Sequence, residues 1–207
     1  MPDIFFDPKA PIKTTDGGDL PHWHQDGKLQ FVTFRLADSL PSKVIEYIKV
    51  NVERFNKLHP KPWTSDVRRE YWSTIGHLEE RHLNNGLGSC LLRVEAVRQT
   101  VARHIMRGDG TQYHVLAYVI MPNHVHLLLR PIGDNDANSI VHTIKRGSAM
   151  AINHMLNRKG PLWQSESFDR LVRSPAHLDN CLDYIKTNPH GLPPHHFTLY
   201  LRNDFPQ

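Results

Sequence analysis

The stretch YVIMPNHVHLLLRP, Tyr118 to Pro131, decides how this chain is read. Its Met121-Pro122-Asn123 step is a tight turn between two runs of β-forming residues, so it predicts two adjacent strands, Tyr113 to Ile120 and His124 to Arg130. Alternate side chains of a strand share a face, so His124 and His126 point one way while Val125, Leu127 and Leu129 point the other. Two imidazoles on one face can hold a divalent metal. The spacing alone is weak evidence, because His22 and His24 repeat it near the amino end. The apolar strand around the later pair adds weight: an imidazole buried there without a partner costs roughly 1 to 3 kcal/mol.

Outward from this stretch, Gln30 to Leu36 reads as a first strand, and an amphipathic helix follows from Ser39 to about Leu58, with Val44, Ile45, Ile48, Val52 and Phe55 at helical spacing and Pro60 to Pro62 as its stop. A polar, helical segment closed by Asn84-Asn85-Gly86 then reads as an insertion at about 61–92. Val94, Val97, Val101 and Ile105 form the stripe of another helix. After the two strands come a helix from about Ser139, with Ile140, Ile144, Ala151 and Met155 inward, and a strand from Phe168 to Val172. Ser174-Pro175 opens a last helix whose apolar face is Leu178, Cys181, Leu182 and Ile185. The order predicts an α+β fold, a ferredoxin-like antiparallel sheet with packed helices. Residues 1–21, with four prolines and Gly17-Gly18, read as an irregular arm; 22–192 form the domain, and 193–207 a tail.

With 39% hydrophobic and 22% charged residues, the 207-residue chain has the composition of a soluble globular protein. It has no apolar run of membrane-spanning length and no signal-peptide pattern, so a cytoplasmic location without membrane association is the default expectation. Cys90 and Cys181 form no C-x-x-C pattern, which argues against a disulfide framework and a thiolate zinc site. A net charge of +4 is permissive for nucleic acid. From Asn138 to Ser165 the charged residues are Lys145, Arg146, Arg158 and Lys159, with no carboxylate, which suits a phosphate backbone.

Together with LPHW at Leu20 to Trp23, FVTFRLADSLP at Phe31 to Pro41, PLWQSESFDRLVR at Pro161 to Arg173 and YIKTNP at Tyr184 to Pro189, the opening stretch resembles the single-tyrosine HUH transposases, the REP-associated branch in particular. The resemblance runs from about Leu20 to Leu192. It implies the same ferredoxin-like fold, with the last helix carrying the catalytic tyrosine. By that resemblance Tyr184 is the nucleophile, His124, His126 and Asn188 hold Mg²⁺ or Mn²⁺, and the activity is nicking and joining of single-stranded, hairpin-forming DNA through a 5′-phosphotyrosine. The family pattern breaks after the NP pair, where this chain reads His190-Gly191-Leu192-Pro193-Pro194, and His190, His195 and His196 are rival third ligands.

The residue types suit that chemistry. A tyrosine hydroxyl has a pKa of about 10, so its phosphate ester stays reactive toward a later 3′-hydroxyl. A cation held by two imidazoles and an amide oxygen would neutralise charge on the phosphate. Taken singly, Tyr184 is equally a core-covering aromatic and Asn188 a helix cap. Lys145, Arg146, Arg158 and Lys159 are expected phosphate contacts. Arg173, with Trp163 and Phe168, is expected to hold or stack on bases, though the core is the commoner place for Trp163. The alternatives are a hairpin-binding protein without cleavage, an RNA-recognition module, and a zinc hydrolase. An RNA module would display aromatics on its central strand, and His124 to Arg130 has none. The chain would act as a monomer or a homodimer.

Overall fold

A computed structural model describes residues 4–15, 22–60, 63–83 and 85–203. Gly17-Gly18 of the expected arm, Lys61-Pro62 and Asn84 of the expected stops, and the last four residues of the expected tail lie outside the described residues. By its contacts the chain divides into two compact units, Met1–Ala37 with Leu91–Gln207, and Asp38–Cys90.

The first unit is built on a five-stranded antiparallel sheet. Its strands are β3 (Gln30–Arg35), β4 (Tyr113–Ile120), β5 (His124–Pro131), β6 (Phe168–Leu171) and β7 (Thr198–Leu201), in the order β6-β3-β5-β4-β7. A separate ribbon pairs β1 (Lys13–Thr15) with β2 (His22–His24). The helices α4 (Glu95–Met106) and α5 (Ala137–Met155) cross between strands, giving the β-α-β-β-α-β succession of ferredoxin-like folds. A third helix, α6 (Pro175–Thr187), follows β6. The fold class expected from the sequence is the one found.

Strand alternation sorts the core into two layers. Val32, Phe34, Val125, Leu127 and Leu129 pack with Val97, Val101 and Ile105 of α4 and with Ile140, Val141, Ile144 and Ile152 of α5. On the opposite face Phe31, Leu116, Val119 and Leu128 pack with Cys181 and Ile185 of α6. Burial of such side chains stabilises by about 1.5 to 3 kcal/mol each. A register shift between Val115 and Ala117 interrupts the alternation, and there Leu116 and Ala117 both join the α6 face. Consecutive residues on one face thicken the layer beneath α6.

Both ends of the chain differ from the expected arm and tail. Residues 4–15 are tied down: the Leu29 amide donates to the Ile4 carbonyl, the Phe6 amide donates to the Val172 carbonyl, and the Gln25 side chain bonds both backbone groups of Asp7. The expected tail supplies β7, which pairs with β4 from Ala117↔Leu201 to Ile120↔Thr198. Buried Arg98 of α4 holds the approach to β7. Its guanidinium donates to the carbonyls of Leu92, Arg93 and His195 and to Thr198 Oγ1. Arg202 adds a charged bond to Asp109 and donates to the Val115 carbonyl beside the bulge. Replacing Arg98 with methionine keeps bulk but strips donors from buried carbonyls, so urea unfolding is expected to show a loss of about 3 kcal/mol. A loss below about 0.5 kcal/mol, the scale of an ordinary surface change, would contradict this account of how β7 is held.

The second unit contains α1 (Ser42–Leu58), α2 (Ser65–Tyr71), a π-helical turn (Trp72–Gly76) and α3 (His77–Leu83). Its centre is aromatic: Phe55 meets Trp63 and Tyr71 edge-on at 5.4 and 5.3 Å, and the Trp63 indole donates to the His59 carbonyl at 2.7 Å. The insertion read at about 61–92 therefore groups with α1 up to Cys90. Phe55 is the buried residue of α1, while Val44, Ile45, Ile48 and Val52 are half-buried. Gly88 (φ +84°) closes the unit with its α-carbon pressed on the Asp38 carbonyl, where any Cβ would come within 2.2 Å of the oxygen.

Candidate functional site

The Met121-Pro122-Asn123 turn fixes where β5 begins. The Met121 amide donates to the His124 carbonyl at 2.8 Å, and the Pro122 carbonyl accepts from Leu92. In the resulting register His124 lies opposite Arg35, and His126 lies between Thr33 of β3 and Val119 of β4. Both imidazoles face α6 and are buried, at 1% and 0% exposure. The alternation read from sequence places them correctly.

Their ring nitrogens have assigned partners. His124 Nδ1 lies 2.8 Å from Asn123 Oδ1, and His126 Nδ1 lies 2.7 Å from Thr33 Oγ1. An amide oxygen only accepts, so His124 carries its proton on Nδ1 and presents a bare Nε2. The Nε2 atoms of the two rings stand 3.0 Å apart, and with His124 accepting, His126 donates from Nε2 and its Nδ1 takes the Thr33 hydroxyl proton. Burial drives His124 down to about 3. Burial, then the neighbouring His124 and then Arg170 hold His126 well below its ordinary value. Both rings are therefore neutral at physiological pH, the state that ligates a metal.

Tyr184 reaches this pair from α6 of the same chain. Its hydroxyl lies 3.4 Å from His126 Nε2, and its ring meets His126 edge-on at 5.0 Å. Phe31 completes the cluster, stacked on His126 at 5.6 Å and edge-on to Tyr184 at 6.0 Å. Ser174 opens α6 by accepting from the His177 amide, with Pro175 in its first turn as expected. At the other end Asn188 remains right-handed helical and donates its amide to the Tyr184 carbonyl. The i, i+4 relation therefore persists, and Tyr184 and Asn188 share a helix face. Asn188 Oδ1 is buried and, among the described residues, has no hydrogen-bond partner.

The donor set fits a cation such as Mg²⁺ or Mn²⁺. The two Nε2 atoms face one another 3.0 Å apart, so one ion would find both within reach. Among the described residues no group of three or more His, Cys, Asp or Glu converges on a metal position. None of His190, His195 and His196 joins His124 and His126 in such a group. His195 and His196 lie in the short turn Pro194–His196 that leads into β7.

The expected DNA contacts divide. Lys145 is corrected: it is buried, and its ammonium donates to the carbonyls of Ser165 and Glu166 and to Ser167 Oγ, clamping the segment before β6. Burial lowers it to about 8. Its place in the α5 stripe, beside Val141, Ile144 and Ser148, is the signal that the charge count overlooked. Arg146 and Lys159 are exposed, and half-buried Arg158 donates to Asn153 Oδ1 at 3.2 Å. Arg173 is exposed, 5.6 Å from the Phe6 ring centre. Trp163 is core, bonded to Ser148 Oγ and edge-on to Phe34. Phe168 is half-buried on β6. Phe31, Thr33 and Asn123 were not singled out from the sequence. Phe31 and Thr33 alternate on β3 in phase with the histidines, but only the β3–β5 register brings them together.

Residues 94–188 match the family model of the IS200-like transposases. A Haemophilus influenzae protein whose name assigns it to the REP-associated tyrosine transposases is 29% identical over 92 residues, 38% of this chain. The match spans about half, 52%, of that relative's length. Among solved structures, a REP-associated tyrosine transposase bound to a REP hairpin is 18% identical, covering 83% of this chain and 73% of that one with a TM-score of 0.45. A Deinococcus radiodurans protein named as a transposase is 14% identical, covering 80% of this chain and 93% of its own, with a TM-score of 0.38. The matched segment runs from the start of α4 to the end of α6 and contains His124, His126, Tyr184 and Asn188. Over residues 94–188 this chain is similar to the IS200-like transposases.

Proposed function

We propose that the chain is a metal-dependent transposase that nicks and rejoins single-stranded DNA at hairpin-forming repeats, with Tyr184 as nucleophile and His124, His126 and Asn188 holding the cation. The observation that carries this reading is the approach of the Tyr184 hydroxyl to within 3.4 Å of His126 Nε2, beside His124 Nε2. A bound divalent cation supplies charge neutralisation for a phosphodiester. Asn123 and Thr33 orient the rings, Phe31 buttresses His126 and Tyr184, and the closed apolar layer under α6 keeps water from competing with the phenol. Tyr184 Oη forms a bond to phosphorus as the bond from phosphorus to the 3′ oxygen breaks. The phenol loses one proton and the departing oxygen gains one, leaving a 5′-phosphotyrosine and a free 3′-hydroxyl. Reversal with a new 3′-hydroxyl joins strands without an external energy source.

Because Tyr184 meets the histidines of its own chain, the reading favours a chain that can cut alone. The exposed Arg146, Lys159 and Arg173 are the proposed contacts to the DNA backbone, with Arg158 beside them. The hairpin preference follows from the family resemblance. Incubating the chain with a labelled pool of single-stranded hairpins and Mn²⁺ is expected to yield a denaturant-stable protein–DNA adduct that EDTA prevents. Cleavage that releases 5′-phosphate ends with no adduct would mark a hydrolase, and hairpin binding without any cleavage would mark a binding protein; either outcome removes the proposal.

A further inference from the structure

Arg170, half-buried, stands beside this site. It lies on β6 directly opposite Phe31 of β3, so it shares the α6 face of the sheet with Phe31, Thr33 and His126. Its guanidinium carbon sits 4.7 Å above the Phe31 ring centre, and Phe31 in turn touches both His126 and Tyr184. Among the described residues no carboxylate pairs with Arg170, and its Nε is buried without a hydrogen-bond partner. Its charge works against burial in setting the Cys181 thiol, which burial pushes up.

Burying the Nε–H of a guanidinium without an acceptor is costly, and a cation–π contact returns only part of that cost. The missing partner is an anion, and the chemistry next door handles one. We infer that Arg170 is a further catalytic residue, whose guanidinium donates to the non-bridging oxygens of the phosphodiester that Tyr184 attacks. This rests on the function proposed above. The planar fork of an arginine matches two phosphate oxygens at once, which a lysine cannot do. Phe31 sets the fork's height over the site while its ring keeps His126 and Tyr184 in place, so one aromatic residue positions charge, ligand and nucleophile together. Lys145 cannot take this role, because its ammonium is spent on Ser165, Glu166 and Ser167.

The test uses thymidylyl-thymidine, which has one phosphodiester and cannot form a hairpin. It is titrated into the full chain, labelled with ¹⁵N, in the presence of Mg²⁺. The Arg170 Nε–H resonance, assigned by its absence from Arg170→Lys, is expected to move saturably. The neutral methylphosphonate analogue is expected to leave it unmoved. Arg170→Gln is expected to weaken dinucleotide binding about tenfold, the loss of one charge-assisted hydrogen bond, and Arg170→Lys by less. Lys186→Gln, an exposed change on α6 outside the cluster, should alter binding by less than about twofold. An unmoved Arg170 resonance, equal binding by Arg170→Gln with an unchanged melting temperature, or an equal response to the neutral analogue overturns the inference. The nuclease reading fails separately, in the adduct assay: a chain whose Arg170 responds to the dinucleotide yet forms no adduct keeps the phosphate contact and loses strand transfer.

Discussion

Tyr184→Phe is expected to reduce adduct formation by at least about a thousandfold while leaving hairpin binding and stability close to those of the parent. The substitution removes one oxygen. The ring stays edge-on to His126 and Phe31, so the aromatic packing that seats α6 is retained. The hydroxyl's contact with His126 Nε2, at 3.4 Å, is long for a hydrogen bond and is worth less than about 1 kcal/mol to the fold. Without it no atom of this side chain can bond to phosphorus. Denaturing gels would measure the adduct, fluorescence anisotropy the binding and urea curves the stability. A Tyr184→Phe chain that still forms the adduct would move the nucleophile elsewhere, and one that unfolds would show that the hydroxyl has a structural role.

The second large effect is a loss of stability in acid when metal is withheld. His124 is held at about 3 and His126 well below its usual value, in both cases chiefly by burial, whereas an unfolded imidazole titrates near 6.5. Below that pH the unfolded chain binds protons that the folded chain refuses. Stability is therefore fully present above about pH 6.5 and falls as pH drops toward the folded values. Each imidazole contributes a slope of up to about 1.4 kcal/mol per pH unit, so the pair removes roughly 4 kcal/mol between pH 7 and 5. His177 and His114, also lowered mainly by burial, push in the same direction. Urea midpoints measured in EDTA across this range should show the slope, and a His124→Gln, His126→Gln double variant should flatten it. Mn²⁺ above pH 6 should raise stability in the parent and not in the double variant, since it binds the neutral rings. A parent with pH-independent stability would show that the histidines are open to solvent.

The sheet was legible because alternation is local. Val125, Leu127 and Leu129 against His124, His126 and Leu128 needs only the period of a strand, and the structure sorts them as that period requires. The last helix was equally plain, since Ser174-Pro175 is a start signal and the Tyr184, Asn188 spacing survives in an unbroken helix. What was missed depends on partners distant in sequence. β7 is only four residues long and becomes a strand because β4 offers it an edge and Arg98 holds its approach. The bulge at Leu116 exists only relative to β5, so no one-strand pattern announces it. In α5, Met155 was expected inward and is 44% exposed, while Ile152 takes the buried place. Val94, read as part of the α4 stripe, lies before the first turn and is 47% exposed. Thr33 and Arg170 reach the histidine face through strand register, and Asn123 through the turn that opens β5.

The Thr33 hydroxyl, unlike the Asn123 carbonyl oxygen that fixes its neighbour, can either give or receive a proton. Rotating that one O–H lets His126 exchange tautomers with its ring and strand standing still. The centre can thus alternate between a self-bonded imidazole pair and a pair of open lone pairs at almost no conformational expense. Threonine at this position leaves the ring's protonation to a hydroxyl rotor, requiring no hinge, lid or backbone rearrangement.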